Sequence, residues 1–118
     1  MSKILILEDY YSNAEMIADL FSGEGHQVSI LSSGEGFMQK ALFFHPDLVI
    51  MDIKLDGYDG RDFCNAMAAN AQLKSIPVVT ISAILESELK DIPYHPAYHY
   101  SKPFDINKLY HDAMKIIH

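Results

Sequence analysis

The sequence predicts a doubly wound α/β domain: a parallel five-stranded sheet with helices on both faces. Three observations carry this expectation. Five apolar runs alternate with stretches of helical spacing along 118 residues. The third run, Leu48-Val49-Ile50-Met51, is apolar at every position, which fits a strand covered on both faces rather than one half open to water. That run stops at Asp52, and two Asp-Gly turn signals follow at Asp56-Gly57 and Asp59-Gly60. A carboxylate therefore stands where a buried strand leaves the sheet. In open α/β sheets that edge is where ligands bind.

The first strand is predicted over residues 4–7, ending at Glu8-Asp9. Ala14, Ile17, Leu20 and Phe21 then recur at helical spacing, with Gly23 and Gly25 closing the helix. Residues 28–31 make a short second strand. Phe37, Ala41, Leu42 and Phe44 mark a second helix stopped by Pro46. After the third strand, 48–51, a helix is expected from about residue 60 to 70, turning Phe63, Met67 and Leu73 inward. Pro77 opens a fourth strand, 78–81, at a position where a missing N–H is tolerated. A weak helical pattern covers 84–91. Residues 98–100 form the last strand, and Asp105 caps a final helix carrying Ile106, Leu109, Ala113, Ile116 and Ile117.

Composition narrows the function. The chain is one domain by length, expected to run over 1–118, and 49% of it is hydrophobic, which argues against disorder. A net charge of -7 argues against a nucleic-acid surface, because phosphate contacts need clustered Lys and Arg. The single cysteine, Cys64, has no internal disulfide partner and suits a reducing cytosol; its apolar neighbours predict a buried, unreactive thiol. The apolar start is broken at once by Glu8 and Asp9, unlike a signal peptide, and no apolar stretch approaches the ~20 residues needed to span a membrane. A cytoplasmic protein is expected.

For five βα units in a doubly wound sheet the flavodoxin-like strand order 2-1-3-4-5 is the natural candidate, and it would set the ends of strands one and three side by side. Glu8 and Asp9 would then lie beside Asp52. Three converging carboxylates repel one another and ask for a cation. Hard oxygen ligands at an open loop suit Mg²⁺. Ser82, ending strand four, and Lys102, following strand five, reach the same edge. A carboxylate nucleophile, a divalent metal, a hydroxyl and an ammonium make a phosphoryl-transfer site.

Ile4-Leu5-Ile6-Leu7-Glu8-Asp9, Asp52 with Gly60 eight residues on, Ser82-Ala83 and Lys102-Pro103-Phe104, in this order and spacing, resemble the receiver (response-regulator) domain of bacterial two-component signalling, chemotaxis-regulator-like. The resemblance runs from Lys3 to Ile117. It implies that Asp52 takes a phosphoryl group from a phosphohistidine on a histidine kinase or histidine phosphotransfer protein. It implies Mg²⁺ held by Glu8, Asp9, Asp52 and the backbone carbonyl of Lys54, and Ser82 and Lys102 on the aspartyl phosphate. His99, three residues before Lys102, takes the place of the family's mobile aromatic. Such a domain is a signalling switch or phosphorelay intermediate that catalyses its own phosphorylation and slow dephosphorylation, not a turnover enzyme. This sequence departs from the pattern at Asp56, where proline is common, and at Tyr94-His95-Pro96-Ala97, where Gly-Ala usually precedes strand five.

Each residue has a plainer reading alone: Glu8-Asp9 a charged loop, Asp52 or Ser82 a cap, Lys102 a solvated charge. Joint occurrence at four strand ends is what favours a site. His95, His99, His111 and His118 suggest a histidine metal site, but Pro96 between the first two disrupts the needed helix. An EF-hand loop from Asp52 fails at Lys54 and Phe63. An aspartyl phosphohydrolase would want a second Asp where Lys54 stands, and a flavin site would want a phosphate-cradling loop where Glu8-Asp9-Tyr10-Tyr11 stands. A degenerate receiver that only binds partners stays the alternative reading, although degeneracy normally loses Asp52, Lys102 or the acidic pair, and all of them are present. Pro93 and Pro96 should shorten the fourth helix. The chain is accordingly expected to be a monomer whose partners dock on the helix-one side, beside Tyr10 and Tyr11, with no output domain within these residues.

Overall fold

In the computed structural model, which describes residues 2–117, the chain runs β1 (Lys3–Leu7), α1 (Tyr11–Gly23), β2 (Gln27–Leu31), α2 (Phe37–Phe44), β3 (Leu48–Asp52), β4 (Lys54–Leu55), β5 (Tyr58–Asp59), α3 (Gly60–Ala68), β6 (Val78–Ser82), α4 (Glu86–Leu89), β7 (Tyr98–Ser101) and α5 (Ile106–Ile116). Met1 and His118, the outer limits of the expected domain, lie outside the described residues. The main sheet is parallel in the order β2-β1-β3-β6-β7. Counting its five strands alone, that is the expected 2-1-3-4-5.

The apolar runs are continuous because each strand feeds two cores. Successive side chains of a strand point to opposite faces. Ile4, Ile6, Ile50, Val79 and Ile81 therefore pack with Ala14, Ile17, Phe21, Leu109 and Ala113 under α1 and α5. Leu5, Leu7, Val49 and Met51 pack on the other face with Phe37, Ala41, Phe44, Cys64 and Met67 under α2 and α3. Every residue of β3 and of β6 is buried. Cys64 lies in this second core, and burial pushes its thiol pKa up, as an unreactive cysteine requires.

The structure corrects the expected boundaries of several elements. Strands β1 and β2 each begin one residue earlier than expected, at Lys3 and Gln27. Strands β3, β6 and β7 each run one residue further than the apolar pattern, so Asp52 and Ser82 are still paired in the sheet, with Asp52 opposite Ile81 and Ser82 opposite Ser101. Helix α3 ends at Ala68 rather than at 70, and Asn70 opens a turn by accepting the Gln72 N–H at 2.8 Å. Helix α4 has four residues and stops at Leu89, well before Pro93. A small antiparallel hairpin, β4 with β5, also fills the loop after Asp52; Gly57 turns it at φ 77°, a left-handed conformation that glycine adopts without strain.

Candidate functional site

Parallel pairing of β1 with β3 in the register Leu7 to Met51 carries the next residue of each, Glu8 and Asp52, to the same point. Both carboxylates are buried, and Lys102 arrives from the end of β7 to bridge them. Its Nζ donates to Glu8 Oε1 at 2.9 Å and to Asp52 Oδ2 at 2.7 Å. Asp9, exposed beside them, completes a group in which one oxygen of each of Glu8, Asp9 and Asp52 lies within 4.8 Å of the others. Among the described residues this is the one cluster of three ligand-type side chains close enough for an ion. Among the described residues His95, His99 and His111 form no such group, and His118 lies outside them.

The electrostatics follow from burial. Glu8 is fully buried, and loss of water together with the neighbouring Asp52 carboxyl lifts its pKa from 4.5 to about 7, against the opposing bonds from Lys102 and Asn13. Burial alone would lower the Lys102 pKa, but its bonds to Asp52 and Glu8 outweigh that and raise it. Glu8 Oε2 has no hydrogen-bond partner in the protein. A buried carboxylate oxygen left without a donor is costly. The donor set is thus three carboxylates against one ammonium, with one buried Glu8 oxygen unpartnered.

The loop after Asp52 is fixed from both sides. Asp52 Oδ1 accepts the Lys54 N–H at 3.2 Å, and Asp9 Oδ2 accepts the Asp56 N–H at 3.1 Å. Tyr58 lies against Gly34 and stacks on Phe63, which in turn packs on Phe37. Gly60 closes the loop: its N–H donates to the Ile53 carbonyl at 2.6 Å, and a side chain there would run into the Asp52 carbonyl oxygen and stand 2.9 Å from Ile53 Cα.

Ser82 is fully buried at the end of β6, where its Oγ accepts the Ile84 N–H at 2.8 Å and its carbonyl accepts the Lys102 N–H at 2.8 Å. His99, half-buried on β7, pairs through Nδ1 with Thr80 Oγ1 at 2.8 Å. Thr80 and Ser82 are two apart on one strand and so share a face. The predicted residues Glu8, Asp9, Asp52 and Lys102 converge; Ser82 and His99 stand on the adjoining strands; Lys54 contributes its N–H to Asp52. Asn13 was not anticipated: from the first turn of α1 its Nδ2 donates to Glu8 Oε1 at 3.0 Å. A polar residue one helical turn past an acidic strand end was the available signal.

The model of the response regulator receiver domain family matches residues 4–113. Over 113 residues the chain is 28% identical to sporulation initiation phosphotransferase F of Bacillus subtilis, covering 96% of this chain and 90% of that protein. It is 31% identical over 81 residues to the DNA-binding response regulator MtrA of Mycobacterium tuberculosis, but those cover 69% of this chain and only 34% of MtrA. Its fold superposes with a TM-score of 0.85 on the receiver domain of a sensor histidine kinase from Pseudomonas aeruginosa, solved with a magnesium ion coordinated in its active site cleft; that pair is 20% identical and covers 98% of this chain and 96% of the other.

Proposed function

The chain belongs to the response regulator receiver domain family, a family of signalling switches, and from that membership we propose that it carries a phosphoryl group on Asp52, accepted from a histidine kinase or a histidine phosphotransfer protein. One observation supports this most: Lys102 Nζ bridges Glu8 and Asp52, with Asp9 alongside, at the end of β3.

In the proposed reaction an Asp52 carboxylate oxygen attacks the phosphorus of a phosphohistidine. The new O–P bond replaces the N–P bond, and the imidazole nitrogen leaves with its electron pair and takes up a proton. Lys102 stays on the acyl phosphate and offsets the charge on its oxygens. Ser82 can donate its hydroxyl proton to a phosphoryl oxygen while still accepting from Ile84, because a hydroxyl both donates and accepts. Buried Glu8, with Asn13 on one oxygen and no partner on the other, holds a hard-oxygen site beside Asp9 and Asp52. These residues fit Mg²⁺, with the Lys54 carbonyl as a fourth protein ligand, and the ion would supply charge neutralisation where phosphate develops. Drawing the Ser82 hydroxyl toward phosphate alters the face it shares with Thr80, and through the 2.8 Å Thr80 pair it biases His99 between two positions.

Acetyl phosphate with Mg²⁺ should add one phosphoryl group, seen by intact mass, and Asp52→Asn should abolish it because an amide is a far weaker nucleophile. Full labelling of the Asn variant would move the acceptor elsewhere.

A further inference from the structure

Helix α4 is four residues long, too short to hold itself by its own hydrogen bonds. The last carbonyls of any helix lack partners within it. Here two of them are bonded by another element, the Glu88 carbonyl while also accepting the Asp91 N–H at 3.3 Å. Arg61, in the first turn of α3 and 7% exposed, donates through Nη1 to the carbonyl oxygens of Glu88 at 3.2 Å and Leu89 at 3.4 Å. Asp59 grips the other edge of the same guanidinium, with Nη2 to Oδ2 at 2.7 Å and Nε to Oδ1 at 3.0 Å. Asp59 Oδ1 also accepts the Arg61 backbone N–H at 2.9 Å, capping α3. Four residues on, Asn65 Nδ2 donates to the Pro93 carbonyl at 2.8 Å. Residues four apart lie on one helix face, so α3 presents one donor to the end of α4 and a second to the proline-containing stretch after it.

The near end of this contact is anchored at the phosphoacceptor. Gly60, the residue before Arg61, is bonded to Ile53 and packed on the Asp52 backbone. A buried guanidinium is expensive to desolvate, and an apolar side chain of similar size would fill the space as well. What an apolar side chain could not supply is the fork that serves a carboxylate on one edge and two carbonyls on the other. Leu85, at the start of the tethered segment, is 67% exposed, so the surface a partner meets there is set by where the tether holds it.

We infer that Arg61, braced by Asp59 and seconded by Asn65, is a positioning residue that ties the segment 86–93 to the loop that follows Asp52, so that the two move as one body. The tether itself stands on the contacts above. Its consequence for signalling rests on the phosphoacceptor reading.

The experiment is hydrogen–deuterium exchange over residues 84–97 in the wild type, Arg61→Leu, Arg61→Lys and Asn65→Ala, first in metal-free buffer and then with Mg²⁺ and beryllofluoride. Without metal, Arg61→Leu should exchange about tenfold faster or more over 88–95, with β3 and β6 unchanged. Arg61→Lys should behave like the Leu variant, because an ammonium cannot span both sets of acceptors. Asn65→Ala should show a smaller rise confined to the residues around Pro93. Wild-type exchange in both Arg61→Leu and Asn65→Ala would overturn the tether. Should Arg61→Leu lose protection throughout the sheet, Asn65→Ala, altered at an exposed position, decides alone, and no rise near Pro93 overturns the proposal. With beryllofluoride bound, read by fluorine NMR, the wild type should change protection over 84–93 and Arg61→Leu should not. An equal change in both would overturn the coupling. No beryllofluoride binding in the wild type would overturn the phosphoacceptor reading, while the metal-free comparison still decides the tether.

Discussion

Glu8 is the residue at which burial and charge conflict most. Its carboxyl has lost its water, faces a second carboxylate, and receives only one lysine and one asparagine in return; the result is a pKa near 7. The sign of the consequence is opposite to that of a surface salt bridge. Between pH 4.5 and about 7 the folded state holds a proton on Glu8 that the unfolded chain has lost, so folding stability from this group is full at low pH and falls as pH rises through the folded pKa. In EDTA, the stability advantage of Glu8→Gln over the wild type should grow across that window and level off above it, as read by thermal melts at each pH. A constant difference from pH 4.5 to 8 would show that Glu8 is ionised throughout. Saturating Mg²⁺ should favour the wild type instead, since an amide is a poorer ligand than a carboxylate. The places of Glu8, Asp9 and Asp52 were legible in the sequence because each stands where an apolar run breaks, and that of Lys102 because it follows the last strand, since a parallel strand's end has a known place in the fold. Asn13 and Arg61 were not. A polar residue in the first turn of a helix reads as solvated, and Arg61, between a glycine and Asp62, carries no sign that its stem is buried and its fork occupied.

Between residue and molecule, the loop from Asp52 to Gly60 shows how little room an element can have. Its end is set by backbone against backbone: a Cβ at Gly60 would overlap the Asp52 carbonyl oxygen and press on Ile53 Cα, neither of which can rotate away. Gly60→Ala should therefore cost about 1–3 kcal/mol in urea denaturation, as overpacking does, and should slow phosphorylation by acetyl phosphate because the loop must lift off Asp52. Unchanged stability would mean that the loop relaxes freely. Helix and strand order were readable here from periodicity alone, whereas the β4–β5 hairpin was not. Two-residue strands leave no alternation to detect, and this pair is held by Tyr58 stacked on nearby Phe63 and packed on Gly34, a contact with a segment far earlier in the sequence. Helix α4 was expected over 84–91 and spans Glu86–Leu89. Pro93 limits how far a helix could run, but the earlier stop coincides with Arg61 taking the Glu88 and Leu89 carbonyls, a tertiary contact that no local pattern encodes.

At the scale of the whole molecule the question is which face another copy or a partner could cover. A standard interface buries about 800 Å² on each side, roughly an eighth of the 6467 Å² this chain exposes. Among the described residues the exposed large apolar side chains do not gather into such an area around α4, β7 and α5, where Leu85 alone of them lies. Tyr98 and Tyr100 stack there half-buried, and the Tyr100 hydroxyl is already given to Asp112, which Lys108 and Lys115 also approach. Covering this face would displace water from exposed lysines around a short α4, and exposed ion pairs return little for that. Tyr10, Tyr11 and Met16, by contrast, are exposed together at the start of α1, next to Asp9 and within reach of the hollow formed by Asn13, Met16, Lys102, Pro103 and Phe104. On the phosphoacceptor reading proposed above, a donor carrying phosphohistidine would approach Asp52 across that side. The prediction is a monomer with and without Mg²⁺ and beryllofluoride, and a weakened rate of phosphotransfer from a kinase in Tyr11→Ala and Met16→Ala, with acetyl phosphate labelling unchanged because that small donor needs no docking surface. Sedimentation velocity checks the first part and paired kinetics the second. A beryllofluoride-dependent dimer that Leu85→Ser dissolves would place the interface on α4 instead, and equal losses with both phosphodonors would put Tyr11 and Met16 in the chemistry rather than in recognition.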